Sequence, residues 1–302
     1  MSHDLMRLAP GSSLALFTRT AEVVSETVID AYSTSFGLAT RLLGKRHRHH
    51  VRNIYALVRV ADEIVDGVAH QAGLTVDEQK GALERYEAET HRALRTGYSS
   101  DLVVHAFART ARDAGIDETL IRPFFDSMRS DLMNDSDRPV FGRAAHAAYV
   151  HGSAEVVGLM CLRVFTRGCT LGEAERLRLE HGARQLGAAF QNVNFLRDFG
   201  DDTTRLGRNY LGDGDALTPD DLRFWVAEIR GQLTDAGETI PLLPHDARAA
   251  VRSALALFAN LTDRIARTPA DELIRTRIRV PGPVKAALVS SAILQTWREG
   301  RR

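Results

Sequence analysis

Nearly every segment of this 302-residue chain spaces its apolar residues with the helical period, and almost none alternates as a strand would. Helices without strands can bury their apolar stripes only against one another, so an all-α fold is expected. We read one single-domain, all-helical fold (residues 20–302) around a central apolar cavity, preceded by a flexible N-terminus (residues 1–19) broken at Pro10-Gly11. The spacing predicts a first helix over Thr20–Leu43, stopped at Gly44, and then the run Arg46-His47-Arg48-His49-His50, a solvated or phosphate-side basic turn that opens the next helix. Thr75 with Glu78 spells a capping box for a helix running to Thr96. Helices over Asp101–Ala114 and Glu118–Met133 follow, the second carrying Pro123, and Asn134–Phe141 is a polar loop. Arg143–Arg167 reads as one helix ended by Gly168, and Thr170 with Glu173 as the next cap. Beyond the irregular stretch Thr203–Ala216, Thr218-Pro219 opens a helix over 219–230, and further helices cover 246–267 and 283–298.

Two stretches stand out from this scaffold. In QNVNFLRDFGDD, Gln191, Asn194, Asp198 and Asp202 fall at steps of three, four and four, which stacks them on one helix face. In IYALVRVADEIVDG, Tyr55, Arg59, Asp62 and Asp66 do the same at steps of four, three and four. Carboxylates one turn apart, about 6 Å, repel by about 3 kcal/mol at an effective dielectric of 20, and by a few tenths on a solvated face. The first stripe sits among Ile54, Leu57, Val58, Val60, Ala61 and Ile64, which predicts a buried helix whose carboxylates need partners or a metal. Arg59 is positioned to neutralise one of them, and oxygen-only ligands with open positions suit Mg²⁺ holding substrate phosphates.

Composition narrows the partners. Lysine plus arginine (39) balance aspartate plus glutamate (39), which argues against a general nucleic-acid binder. Two cysteines, Cys161 and Cys169, fit a reducing cytoplasm. If they share one helix they lie about 12 Å apart along it, too far to bridge. The short apolar run Leu14–Phe17 does not make a signal peptide, and the charge-free run Ala286–Trp297 is too short to span a bilayer.

ADEIVDG (Ala61–Gly67) and QNVNFLRDFGDDTTRLGRNYL (Gln191–Leu211) resemble the two aspartate motifs of the squalene/phytoene synthase family. STSF (Ser33–Phe36), FFDSMRSD (Phe124–Asp131), YVHGSAEVVGLM (Tyr149–Met160) and RIRVP (Arg277–Pro281) resemble further family segments, in the family's order. The resemblance implies an isoprenoid-synthase-type helical fold and an enzyme that condenses two prenyl diphosphates head to head, most like bacterial phytoene synthases. Those join two geranylgeranyl diphosphates into phytoene through prephytoene diphosphate, with Mg²⁺, or Mn²⁺ as substitute, and without NADPH. By the same resemblance Asp62, Asp66, Asn194, Asp198 and Asp202 match metal and diphosphate ligands. Tyr55, Arg59, Gln191 and Arg197 match substrate contacts. Ser33 and Ser35 match a phosphate-side segment, with Arg205, Arg208 and Tyr210 as further candidates beside Asp202. Tyr149 lines the cavity or packs.

Glu155 stands where many relatives have Gly, which puts an ionisable group near the expected substrate channel. Phe258 stands where Tyr is common, and Tyr32 where some relatives have His. A squalene or dehydrosqualene synthase using two farnesyl diphosphates, a head-to-tail prenyltransferase or terpene cyclase (whose DDxxD motif Asp62-Glu63-Ile64-Val65-Asp66 does not spell), and a non-catalytic binding relative are the alternatives. Retention of all four aspartates argues against the last. A long hydrocarbon product predicts peripheral contact with the cytoplasmic membrane surface, through the final helix and the basic tail Arg298–Arg302.

Overall fold

The computed structural model describes residues 11–133, 142–205, 217–273 and 275–300, with the backbone only at Ser35 and residues 200–205. These described residues are helical with no strand. Helix α1 spans Ser13–Tyr32, α2 Thr34–Thr40, α3 Lys45–Val65, α4 Val68–Gln71 and α5 Val76–Thr96. Then come α6 (Leu102–Ala114), α7 (Glu118–Asp131), α8 (Arg143–Val150), a π-helical turn (His151–Glu155) and α9 (Val156–Phe165). The chain continues through α10 (Glu173–Arg205), α11 (Pro219–Thr239), α12 (His245–Ile265), α13 (Ala270–Leu273) and α14 (Gly282–Glu299).

Local chemistry accounts for most of these ends. The Thr75/Glu78 capping box forms, Thr218 and Asp221 make a second one ahead of Pro219, and Asp101 caps α6 through the Val104 N–H. Gly97 and Gly168 leave their helices at φ +77° and +75°, a region costly to any residue with a Cβ. Several boundaries differ from expectation, and Arg143–Arg167, expected as one helix, is interrupted by the π turn and ends at Phe165. Helix α1 starts at Ser13, not Thr20, because Ser12 accepts from the Ala15 N–H (3.1 Å) and Thr18 meets His105 of α6 at 3.0 Å. The expected helix 20–43 breaks at Ser33 (φ −141°, ψ 109°), whose hydroxyl caps α2 at the Phe36 N–H (3.0 Å). Helix α10 begins at Glu173, with the Arg176 N–H bonded to the Gly172 carbonyl, so Thr170 is not its cap. Helix α11 runs on to Thr239 because Leu233 and Ala236 continue its buried face.

The basic run opens the first-stripe helix as expected, but it is not the solvated turn it was expected to be. It is the first part of α3, with His47 and His50 both buried. Asp246, at the start of α12, takes Arg46 through two hydrogen bonds (2.8 and 2.9 Å) and His47 at 3.2 Å. His50 pairs with Thr110 at 2.9 Å, while the Arg167 guanidinium lies on both His50 and Asp113. Groups 60 to 200 residues away therefore desolvate the run, which no local pattern reveals.

Helix crossings are set by small residues. A Cβ on Gly158 would strike the Ala183 carbonyl, and one on Gly187 the Ala154 carbonyl, so α9 and the π turn cross α10 at backbone contact. A Cβ on Gly152 would likewise strike the Pro123 carbonyl and the Ser127 hydroxyl of α7. Either side of these crossings lies an apolar cluster. One contains Leu57, Phe107, Phe124 and Met160, and the other Phe195, Leu196, Ile229 and Leu261. Each fully buried side chain of this size contributes about 1.5–3 kcal/mol. Both clusters contribute walls to a central cavity of about 880 Å³.

Candidate active site

The cavity has a direction. Along α10 its wall runs through Leu179, Leu186, Phe190, Asn194 and Asp198, about 28 Å of helix. Along α3 it runs through Val51, Ile54, Val58, Asp62 and Asp66, about 22 Å. Both walls are apolar at the N-terminal end of the helix and polar at the C-terminal end. The two helices run the same way. Helix α9 crosses α10 antiparallel, Ala154 at Gly187 and Gly158 at Ala183, and its last residue, Phe165, packs edge-on against His47 at the start of α3 (5.5 Å between ring centres). The start of α3 is thus level with the Leu179 end of α10, and the carboxylate ends of the stripes converge at one mouth.

On α3, Tyr55, Arg59, Asp62 and Asp66 all line the cavity and are half-buried, not enclosed as the apolar surroundings had suggested, because this face looks onto open space. Asp66 ends the helix with its N–H on the Asp62 carbonyl (2.7 Å). The negative end of the helix dipole therefore coincides with two carboxylates, an arrangement that attracts a cation. Arg59, expected to neutralise one of these aspartates, forms an ion pair with Glu63 of its own helix and lies over the Tyr32 ring, 4.4 Å from its centre. Burial pushes the Tyr55 phenol above its ordinary range. Arg59 opposes that shift, Asp62 adds to it, and a hydrogen bond with Ser33 opposes it again. Ser33 lines the cavity, and the side chain of Ser35 lies outside the described residues.

On α10, Gln191, Asn194, Arg197 and Asp198 line the same cavity. Asp198 accepts from Arg197 Nε at 3.0 Å and from Arg277 Nε at 2.9 Å, so two guanidinium groups share one carboxylate. The side chains of Asp202 and Arg205, and the whole of Arg208 and Tyr210, lie outside the described residues. Asp62, Asp66, Asn194 and Asp198 offer oxygen donors only, half-buried at a cavity mouth, which is the donor chemistry a hard cation such as Mg²⁺ takes. Among the described residues no three acidic, histidine or cysteine side chains already form a metal cage. A cation shared with substrate phosphates fits this open arrangement better than an all-protein cage.

Sequence reasoning passed over three cavity cations. Arg277 and Arg279 stand in an extended stretch whose Ile278 and Val280 pack on the second apolar cluster, leaving the arginines exposed at the mouth. Lys285 donates to the Thr34 hydroxyl at 3.0 Å across the same rim. The alternation in RIRV was the available signal. Tyr149 both lines the cavity and packs, its ring 5.9 Å from that of Phe195. Phe258 stacks on Phe190 (3.9 Å) and meets Phe36, an apolar wall in place of a hydroxyl. Glu155 does not reach the channel as expected. Its neighbours Ser153, Ala154 and Val157 line the cavity, while Glu155 is half-buried and pairs with His151 (2.9 Å) and Arg184 (3.5 Å). Cys161 lines the apolar part and burial pushes its thiol up to about 12, so it is inert there. Both cysteines are free.

The chain was compared with known proteins. The profile of the family described as Squalene/phytoene synthase matches residues 29–283. The maize (Zea mays) protein named Phytoene synthase 3, chloroplastic, is 30% identical over 308 residues, covering 95% of this chain and 67% of the relative. Phytoene synthase, chloroplastic, from Narcissus pseudonarcissus is 34% identical over 199 residues, 65% of this chain and 42% of the relative. The chain thus spans from two thirds to under half of these curated relatives. Among solved structures, a dehydrosqualene synthase in complex with ligand superposes with TM-score 0.73 at 23% identity, covering 92% of this chain and 97% of that one. A squalene synthase from Alicyclobacillus acidocaldarius superposes with TM-score 0.68 at 16% identity, covering 83% and 95%. At these identities the likeness is one of fold.

Proposed function

Because the chain belongs to the squalene/phytoene synthase family, we propose that it is a phytoene synthase, joining two geranylgeranyl diphosphates head to head through prephytoene diphosphate. The observation that carries this reading is the polarity of the cavity: two carboxylate stripes at one mouth, and an apolar channel running away from them. In this reading Asp62, Asp66, Asn194 and Asp198, with Asp202 continuing the second stripe, would hold Mg²⁺ or Mn²⁺. Held by these residues, such a metal would supply positive charge to the departing diphosphate.

The chain's own groups account for the rest. Arg59, Arg197 and Arg277 are paired with Glu63 and Asp198, and each is a side-chain rotation from donating to phosphate oxygens. The amides of Gln191 and Asn194 and the hydroxyls of Tyr55 and Ser33 orient the diphosphates at the mouth. Phe36, Phe190, Phe258 and Leu261 keep water from the allylic cation left behind. No reductant is needed, since the product forms by loss of a proton. The Asp62/Asp198 arms see only the diphosphate, so chain length is read at the opposite end, by Leu43, Phe165, Leu179 and Leu243.

None of the described helices is long and apolar enough to cross a membrane. In α14 the exposed Ile293, Leu294 and Trp297 stand between Lys285 and Arg298, which supports a cytoplasmic protein touching an anionic membrane surface to unload its hydrocarbon. The test is incubation of the protein and Mg²⁺ with each prenyl diphosphate, with and without NADPH and anionic vesicles. Phytoene from the C20 substrate without reductant is the expected product. Squalene formed only with NADPH, and nothing from the C20 substrate, would overturn the choice of reaction.

A further inference from the structure

The FFDSMRSD segment carries a buried carboxylate that the reaction outlined above does not use. Asp131 is the last residue of α7, 6% exposed, and it does not line the cavity. The Tyr149 hydroxyl does reach it, donating to Asp131 Oδ2 at 2.8 Å. Tyr149 itself lines the cavity at the level of Phe195, one turn below Asp198. The geometry between the two is built in. The Ser127 hydroxyl donates to the Tyr149 carbonyl (3.2 Å), and Gly152 lies against Pro123 and Ser127 where no Cβ fits, which fixes α7 against α8 and the π turn.

A phenol has one proton to donate. Once it is given to a buried carboxylate, the oxygen can act toward the cavity only as an acceptor, and the charge-assisted bond raises its electron density. A diphosphate is rich in acceptors and gains nothing from such a group, whereas a carbocation does. We propose that Asp131 is a positioning residue that turns the Tyr149 proton away from the cavity, so that the phenol oxygen and ring face the cationic carbon skeleton and not the diphosphate. This rests on the prenyl-diphosphate reading of the site and adds to it the direction of one hydrogen bond.

The test is a double-mutant cycle of Asp131→Asn and Tyr149→Phe, each variant first checked for wild-type near-ultraviolet circular dichroism. Asp131→Asn keeps shape and a carbonyl acceptor but loses the charge. It should lower kcat about ten- to a hundredfold with KM within about twofold. In the Tyr149→Phe background the same change should cost nothing further. Equilibrium binding gives a readout independent of turnover: a prenyl tertiary amine, cationic at the reacting carbon, should bind Asp131→Asn about tenfold more weakly, and its neutral carbon isostere equally well. Additive losses in the cycle, a rise in KM alone, or equal weakening of both probes would each overturn the proposal. If wild-type protein releases no diphosphate from any prenyl substrate, the reading of the site fails instead, and the amine and isostere still report on the Asp131–Tyr149 pair. Should Tyr149→Phe not fold, the probe comparison on Asp131→Asn decides alone.

Discussion

The two ends of α3 both carry clustered ionisable side chains and do opposite things. At the start, Arg46, His47 and His50 are spent on Asp246, Thr110 and the Arg167–Asp113 pair, and hold three helices together. At the finish, Tyr55, Arg59, Asp62 and Asp66 face a cavity wall. The histidine cluster would draw the eye as a metal site, yet His50 lies beside a guanidinium and its imidazole is tied up. Charge density alone therefore does not mark a site. What marks it is whether the groups face other protein groups or open space, and Phe165, which touches His47 on one side and the cavity on the other, is the boundary between the two regimes.

The largest effect should come from the carboxylate end. Asp62→Asn or Asp198→Asn is expected to lower turnover by about 10²–10³-fold or more; melting temperature should be unchanged or raised in Asp62→Asn, which removes a charge that repels Asp66, and unchanged or slightly lowered in Asp198→Asn, which takes a half-buried partner from Arg197 and Arg277. Steady-state kinetics in excess Mg²⁺ and calorimetry check it. Wild-type rates in both variants would end the distinction between the two ends, and a loss of folding would make them alike.

The histidine end should respond to acid instead. Burial, the largest cause, holds His50 at about 2, and burial likewise lowers His47 against the pull of Asp246. A histidine whose folded pKa lies below its unfolded value of about 6.5 leaves stability intact above that pH, and stability is lost as pH falls below it. Asp246, drawn down to about 2 chiefly by its hydrogen bond from Arg46, adds a loss that begins only near pH 4. Each histidine adds up to about 1.4 kcal/mol per pH unit in this window. Urea midpoints from pH 8 to 4.5 should therefore fall below pH 6.5, and His50→Gln should flatten the fall while leaving substrate KM unchanged. A midpoint independent of pH would refute the assignment of this end as a buried neutral network.

The smallest effect belongs to the boundary. Phe165→Ala should cost about 3 kcal/mol of stability and shift the C20-to-C15 preference toward longer chains by about tenfold, read from competing-substrate product ratios. An unchanged ratio would move the channel floor away from Phe165.

Much of this was legible. The stripes, the caps at Thr75 and Thr218 and the all-helical class follow from spacings of three and four, and the structure puts Gln191, Asn194 and Asp198 on one wall as that spacing requires. The π turn was not legible, and the Ser33 cap to Phe36, although local, did not stand out from a mid-helix serine, because each is also held by an element distant in the chain. Ser33 meets Tyr55, and the π turn packs on α7 through Gly152. Glu155 shows the cost. One extra residue in a helical turn rotates it off the face that a regular helix would have assigned.

By itself the sequence determined which residues share a helix face, since that is set within two turns of backbone by the 3.6-residue repeat. It also determined where most helices begin, since a cap is a bond between residues three apart. Which faces meet was decided only by tertiary structure. The parallel course of α3 and α10, the seating of Arg277 on Asp198, the burial of His47 by Asp246 and the bond from Tyr149 to Asp131 all join residues far apart in the chain. Such contacts form only when backbones approach as closely as Gly158 and Gly187 allow. The energy that selects them is the burial of two apolar clusters, a quantity spread over the whole chain and carried by no motif.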